Sequence, residues 1–274
     1  MLERLIYENH LGKRLICGQG GLYANSNALR DFAWNIKEKN NKIASFERGI
    51  TKAQIPLIIK ARTDQEGIDL KNRFFELTEI DVIDKECGKI IVGDYYLPCY
   101  VTESKKSNYL IAKDLLYLTI TVTTDVSMWI REEKFSFSAA VSAGNTSYGL
   151  DYPFDYAYDY MNRLVNSNLV NSAFTSSEFE MIIYGACENP QILIGQNLYG
   201  VDATLATGEY LIINSVTKKI YKVKNNGEKV NLFHFRNRSS DVFEKIPSGI
   251  NQVSWHGFGF DITLLEERSE PKWT

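Results

Sequence analysis

The chain has 274 residues, more than one ordinary domain needs, and its 44% hydrophobic and 24% charged content is that of a globular protein able to bury two cores. A net charge of −3 excludes a dedicated nucleic-acid binder. No apolar run approaches the roughly 20 residues of a membrane-spanning helix.

The four cysteines, Cys17, Cys87, Cys99 and Cys187, are scattered without a Cys-x-x-Cys pair and read as reduced thiols. The opening Met-Leu-Glu-Arg-Leu-Ile-Tyr-Glu lacks the basic patch and apolar run of a secretory signal, so synthesis in a cytoplasm is expected.

Residues 4–16 read as a hairpin turning at Asn9-His10-Leu11-Gly12. Phe32, Trp34 and Ile36 alternate with Ala33, Asn35 and Lys37, which predicts a half-buried strand stopping at Asn40-Asn41. Ile43 to Phe46 resumes, Arg48-Gly49 turns, and Ile55 to Lys60 is a further strand carrying Pro56. One helix follows. Thr63 and Glu66 have capping-box spacing, and Leu70, Phe74 and Leu77 form a stripe that must cover a sheet. Strands are then predicted at Ile90–Val92, Tyr96–Thr102, Tyr109–Ile111, Leu115–Val122 and up to Phe137.

Small and polar residues from Ser138 to Ser147 have linker composition. Beyond them, Tyr152, Phe154, Tyr156, Tyr158 and Tyr160 fall at every second position, so an extended strand would carry all five rings on one face. Pro153 restricts the start of that strand to an edge or linker. The expected organisation is therefore two domains, 1–143 and 144–274, with Tyr152, Pro153, Phe154 and Tyr156 at the junction. The second is written in short strands: Phe179–Tyr184, Gln191–Ile194, Glu209–Ile213, Ile220–Val223, Asn251–Trp255 and Phe258–Leu265, with Phe233 and Phe235 alternating between them. Asn226-Gly227 predicts a type I′ hairpin turn. The fold class is mainly β, with one notable helix.

The chemistry-bearing motifs are absent: no Gly-x-Ser-x-Gly, no phosphate-cradling Gly-x-x-x-x-Gly-Lys and no His-Glu-x-x-His. His10, His234 and His256 lie far apart without a second ligand at zinc spacing, and read as turn or surface residues. Asp151, Asp155 and Asp159 on a strand would stand about 13 Å apart, too far to share one calcium ion. No catalytic, cofactor or metal residue is expected. Two other readings stay open. A carbohydrate-binding module would need exposed aromatics such as Trp255 or the Tyr156–Tyr160 stripe. A glycan hydrolase would need carboxylates assembled in space.

The order of several fragments resembles a known family. Asn9-x-x-Gly12, the Trp34 strand, Phe46-Glu-Arg-Gly49, the helix after Ile-Pro-Leu-Ile-Ile, and Gly149-Leu-Asp-Tyr-Pro-Phe-Asp-Tyr156 come first. Ile183-Tyr-Gly185, Asn189-Pro190, Gly208 to Ser215, Ile246-Pro-Ser-Gly-Ile-Asn251, Trp255 and Glu266 to Trp273 follow. Together they are similar to the distal tail proteins (Dit) of long-tailed phages of Gram-positive bacteria.

The resemblance implies a ring-forming β domain followed by a galectin-like β-sandwich. It implies a non-enzymatic virion protein at the tail tip, forming a homohexameric hub between the tail tube protein and the tail-tip and receptor-binding proteins. It brings no cofactor, no sequence-specific nucleic-acid binding and no membrane insertion. Trp34 and Phe46 are candidates for a subunit interface, although core burial is the expected fate of both.

Overall fold

The structure, a computed structural model, describes residues 4–24, 29–107, 113–139 and 165–273. The expected junction residues Tyr152, Pro153, Phe154 and Tyr156 lie outside the described residues, as does the predicted strand at Tyr109–Ile111. The chain divides into two compact units, Met1–Arg131 with Glu267–Thr274, and Glu132–Glu266. The expected boundary at 143/144 lies outside the described residues. The first unit also takes in the last eight residues of the chain, a return that no local sequence pattern encodes.

The first unit contains β1 (Leu5–Glu8), β2 (Arg14–Ile16), β3 (Leu22–Ala24), β4 (Asn35–Lys39), β5 (Lys42–Glu47) and β6 (Thr51–Lys60). Helix α1 (Asp64–Asp84), β7 (Gly88–Val92), β8 (Tyr95–Lys106) and β9 (Leu115–Thr124) follow. Strand β10 (Trp129–Phe137) carries the chain into the second unit. The ladders described in this unit are antiparallel. β1 lies between β2 and β7, and β7 pairs with the start of β8. β9 lies between β6 and the far half of β8, which bulges at Val101–Glu103 and runs to Lys106, beyond its predicted end.

In β6, Ile55, Leu57 and Ile59 point inward and Gln54, Pro56, Ile58 and Lys60 outward, the alternation of a half-buried strand. Pro56 takes an outward position opposite Thr119 of β9, and among the described residues β3 pairs only with Leu57–Ile59. Helix α1 begins as predicted: the Thr63 hydroxyl accepts the Glu66 N–H at 3.2 Å, and the Glu66 carboxylate accepts the Arg62 N–H at 3.1 Å. It runs past Leu77 to a left-handed Lys85 cap and packs Phe74 and Leu77 against β6 and β8. Gly67 is required near its start, since a Cβ there would sit 2.5 Å from the Lys113 carbonyl oxygen.

The second unit contains β11 (Val165–Asn171), β12 (Glu178–Tyr184), β13 (Cys187–Glu188), β14 (Gln191–Ile194), β15 (Asn197–Gly200) and β16 (Thr204–Leu205). It continues with β17 (Tyr210–Asn214), β18 (Lys219–Val223), β19 (Lys229–Asn231), β20 (Gly249–Trp255) and β21 (Phe260–Arg268). One sheet has the order β19-β18-β17-β12-β21-β10, and the other β11-β20-β14-β15. Phe179, Met181 and Ile183 of the first and Leu169, Ile192, Ile194, Val253 and Trp255 of the second share one core, which makes a β-sandwich. Two local expectations fail. Phe233–Phe235 is a single 3₁₀ turn, not a strand. At Asn226-Gly227 only the glycine takes positive φ, 82°, in a three-residue loop closed by Gly227 N–H donating to the Lys224 carbonyl.

Trp255 is 3% exposed, packs edge-on against Phe137 and Phe260, and donates its indole N–H to the Phe258 carbonyl at 3.0 Å. It therefore offers no face to a sugar. Trp255→Ala is expected to cost about 3–5 kcal/mol of stability, measured by denaturant unfolding of the full chain.

Candidate assembly surface

Strands β4 and β5 form a two-stranded sheet that pairs with no other strand among the described residues. Its turn is Asn40-Asn41, with φ of 54° and 57°, the conformation of a type I′ turn that asparagine tolerates. Ile36 stands opposite Phe46, and Ile43 lies beyond a bulge at Lys37/Glu38; Trp34, just before β4, meets the Phe46 ring edge-on at 6.5 Å. Lys37, Asn35, Ser45 and Glu47 fall on the reverse face, where Lys37 pairs with Glu47 at 2.6 Å. The hairpin is thus amphipathic, as the alternation predicted.

Burial does not follow. Ile36, Ile43 and Phe46 are 53%, 55% and 57% exposed, and Trp34 is exposed as well. The expectation that Trp34 and Phe46 enter the core is corrected: both side chains are exposed, on a hairpin that pairs with no other strand among the described residues. An isolated two-stranded hairpin is marginal in water, and contiguous exposed apolar groups of this kind mark interaction surfaces.

The base of the hairpin is firmly held. The Arg48 guanidinium lies 4.2 Å from the Trp34 ring centroid and donates to the Ser127 carbonyl and the Ser269 hydroxyl. Ser127, in a left-handed conformation, donates its hydroxyl to the Gly49 carbonyl at 2.6 Å and meets the Thr51 hydroxyl at 2.7 Å. Arg30 donates to the Pro271 carbonyl at 2.7 Å and stacks 3.8 Å from Trp273. Trp129 donates its indole N–H to the Leu29 carbonyl at 3.2 Å. The chain's last residues and the segments flanking the hairpin are thereby tied together. The cavity among Phe32, Arg48, Thr51, Ser127, Trp129 and Ser269 holds about 40 Å³, too small for an organic ligand.

A second cluster joins the β1–β2 turn to the end of α1. Asp81 is fully buried and accepts from the Tyr7 hydroxyl, from the His10 backbone N–H at 3.1 Å and from His10 Nδ1 at 2.6 Å, while His10 Nε2 lies 3.3 Å from Asp84. The hydrogen bond to Asp81 raises the His10 pKa against the opposing effect of desolvation; burial, reinforced by Asp81, raises that of Tyr7. Gly88 closes the pocket, since a Cβ there would fall 2.3 Å from an Asp81 carboxylate oxygen. His10 was read as a turn or surface residue. It is in the turn, but its side chain is 9% exposed and clamped between carboxylates.

Among the described residues no group of three or more His, Cys, Asp or Glu is arranged to hold a metal ion. An open concavity of about 620 Å³ beside α1 contains Glu66 and Asp69, but the first caps the helix and the second accepts from Gln65 at 2.9 Å.

Comparison with solved structures shows that the fold is Dit-like. The chain superposes on a chain of the phage P2 baseplate in its activated conformation with calcium at a TM-score of 0.63, 16% identity, covering 99% of this chain and 100% of that one. The strontium form gives 0.62 and 15%. The SPP1 Dit protein, described as a paradigm of hub adsorption apparatus in phages infecting Gram-positive bacteria, gives 0.56 at 8% identity, over 98% of this chain and 100% of that one. No protein-family profile and no curated protein sequence matches.

Two outcomes follow. Arg48→Met, which keeps the stem and loses the donors, should lower stability by about 1–3 kcal/mol in denaturant melts. For His10, a pKa raised by folding means its contribution is full below the ordinary histidine pKa and is lost as pH rises through the raised value. The stability gap between wild type and His10→Gln should therefore be widest near pH 6 and shrink steadily toward alkaline pH.

Proposed function

We propose that this chain is a structural component of a phage tail tip, a homohexameric hub that joins the tail tube to the tail-tip and receptor-binding apparatus. The observation that carries the reading is the fold match over nearly the whole of both chains to a phage baseplate chain and to SPP1 Dit. The exposed apolar hairpin supports it, because a lone copy leaves that face in water.

In this reading the N-terminal half (1–143 in sequence terms) forms the ring and docks the tube, and the C-terminal half (144–274) is a galectin-like sandwich facing the adhesion proteins. The partners are further copies of the chain, the tail tube protein, the tail-associated protein and the receptor-binding protein. The protein is made in the host cytoplasm and resides in the virion, and it catalyses no reaction. A head-to-tail contact between identical subunits closes into such a ring when its rotation divides the circle.

Electron microscopy of the purified full-length chain tests this. Annular particles with six-fold averages are expected. Lone particles under concentrated, low-salt conditions would overturn it.

A further inference from the structure

In a ring of identical copies, the reading on which this site rests, each hairpin needs a seat on its neighbour. The two faces of the hairpin differ in charge as well as in polarity. By register Glu38 stands opposite Ile43 and falls on the apolar face with Ile36 and Phe46, while Lys37, Lys39 and Lys42 fall on the reverse face. Glu38 is exposed, and its carboxylate has no ion-pair partner among the described residues. The hairpin therefore offers an apolar ridge that carries one unpaired carboxylate, about 20 Å long at roughly 3.3 Å per residue.

A groove on the same unit has matching dimensions. Three concavities of about 620, 280 and 510 Å³ follow one another between α1 and the β1–β2–β3 segment, and Arg73 lines all three. From Glu66 to Ile80 the groove tracks the helix for about 21 Å at roughly 1.5 Å per residue. Each concavity contains one exposed apolar side chain of the wall facing the helix: Tyr23, Ile16 and Leu11 in turn. Glu66 is engaged in capping and Asp69 with Gln65. Arg73 donates to the Arg14 carbonyl at 3.2 Å. Among the described residues Lys13, Lys60, Arg62 and Arg73 have no carboxylate partner, against one unpaired groove carboxylate, Glu76. The groove is thus apolar along its length and positive where its charges are unpaired.

We propose that the apolar face of the β4–β5 hairpin of one copy seats in the α1 groove of the next. Glu38 meets Arg73, and Ile36, Ile43 and Phe46 cover the exposed side chains of Tyr23, Ile16 and Leu11. A second copy suits the groove on three counts: its hairpin has the groove's length, it brings an apolar ridge to an apolar floor, and the one charge on that ridge is opposite to the groove's. Lys37, Lys39 and Lys42 remain on the side turned to water. The contact is heterologous, since each copy offers a hairpin to one neighbour and a groove to the other. Enclosing Glu38 and Arg73 fixes the register, because a slip would leave either charge desolvated without its partner.

The test uses full-length Glu38→Arg, Arg73→Glu and the chain carrying both changes, followed by sedimentation velocity and native mass spectrometry. Both positions are exposed, and circular dichroism is expected to show all three variants folded. Each single variant should need about tenfold or more the wild-type concentration for half-assembly, because like charges then face each other. The chain with both changes should recover most of that loss. An equimolar mixture of the single variants should also assemble, into particles with equal numbers of the two masses. In that mixture each reversed hairpin meets a reversed groove and each native hairpin a native one, a rescue that no contact inside one copy produces. Either single variant assembling like wild type overturns the docking, and is the outcome if a different protein fills the groove. Failure of either rescue overturns it too. Should a charge reversal misfold, Phe46→Ser and Leu11→Ser give the same test at exposed apolar positions: weakened assembly is expected for each, and unchanged assembly overturns the docking. If wild type itself never assembles, the ring reading falls and the docking with it. If wild type assembles and the variants are unaffected, only the docking falls.

Discussion

The constraint on which the account depends is a hairpin whose two faces both stand in water. Its sequence writes an apolar face and a polar face, and every residue from 31 to 44 is nevertheless exposed. Burying three large apolar side chains is worth several kcal/mol at roughly 1.5–3 kcal/mol each, a gain that the isolated chain leaves unrealised. The structure around the hairpin shows that this is not looseness. Arg48, Ser127 and Thr51 fix its base through side-chain and carbonyl hydrogen bonds, and the returning C-terminal residues supply Ser269 to the same guanidinium. A firmly mounted apolar surface is arranged for contact with something else.

The helix is held with similar care from the opposite direction. Asp81, fully buried, gathers the Tyr7 hydroxyl and both a backbone and a ring donor of His10, so the first turn of the chain is clamped to the last turn of α1. Removing one member of such a group would strand a buried charge, which costs more than the bond itself contributes. The clamp orients α1, whose outward face carries Glu76, Glu79 and the exposed Ile83. Two local devices, the Arg48 mount and the Asp81 clamp, thus fix the base of the hairpin and the end of α1.

Much of this was legible in the sequence, and the failures have one character. The helix was readable because its signals are local: Thr63 and Glu66 mark its start, and Phe74 and Leu77 its buried side. The β6 and β12 strands were readable from alternation. Alternation at Phe32, Trp34 and Ile36 predicted a half-buried strand, but β4 begins only at Asn35 and all three side chains are exposed: period tells which residues share a face and not what covers it. Likewise Asn226-Gly227 promised a type I′ turn that Asn40-Asn41 adopts instead, because loop length and register are settled by the flanking strands. The partner of His10 was invisible, since Asp81 lies 71 residues away, and so was the return of the last residues to the first unit. Trp255 could be a sugar platform or a core residue from sequence alone; its packing against Phe137 and Phe260 decides for the core.

The most direct measurement of the central claim is hydrogen–deuterium exchange over residues 34–47, compared between dilute and assembled full-length protein. The account predicts fast exchange of the hairpin amides in the dissociated chain and marked protection of the hairpin on assembly. Identical exchange of the hairpin in both states would show that its apolar face remains in water, and would contradict the account.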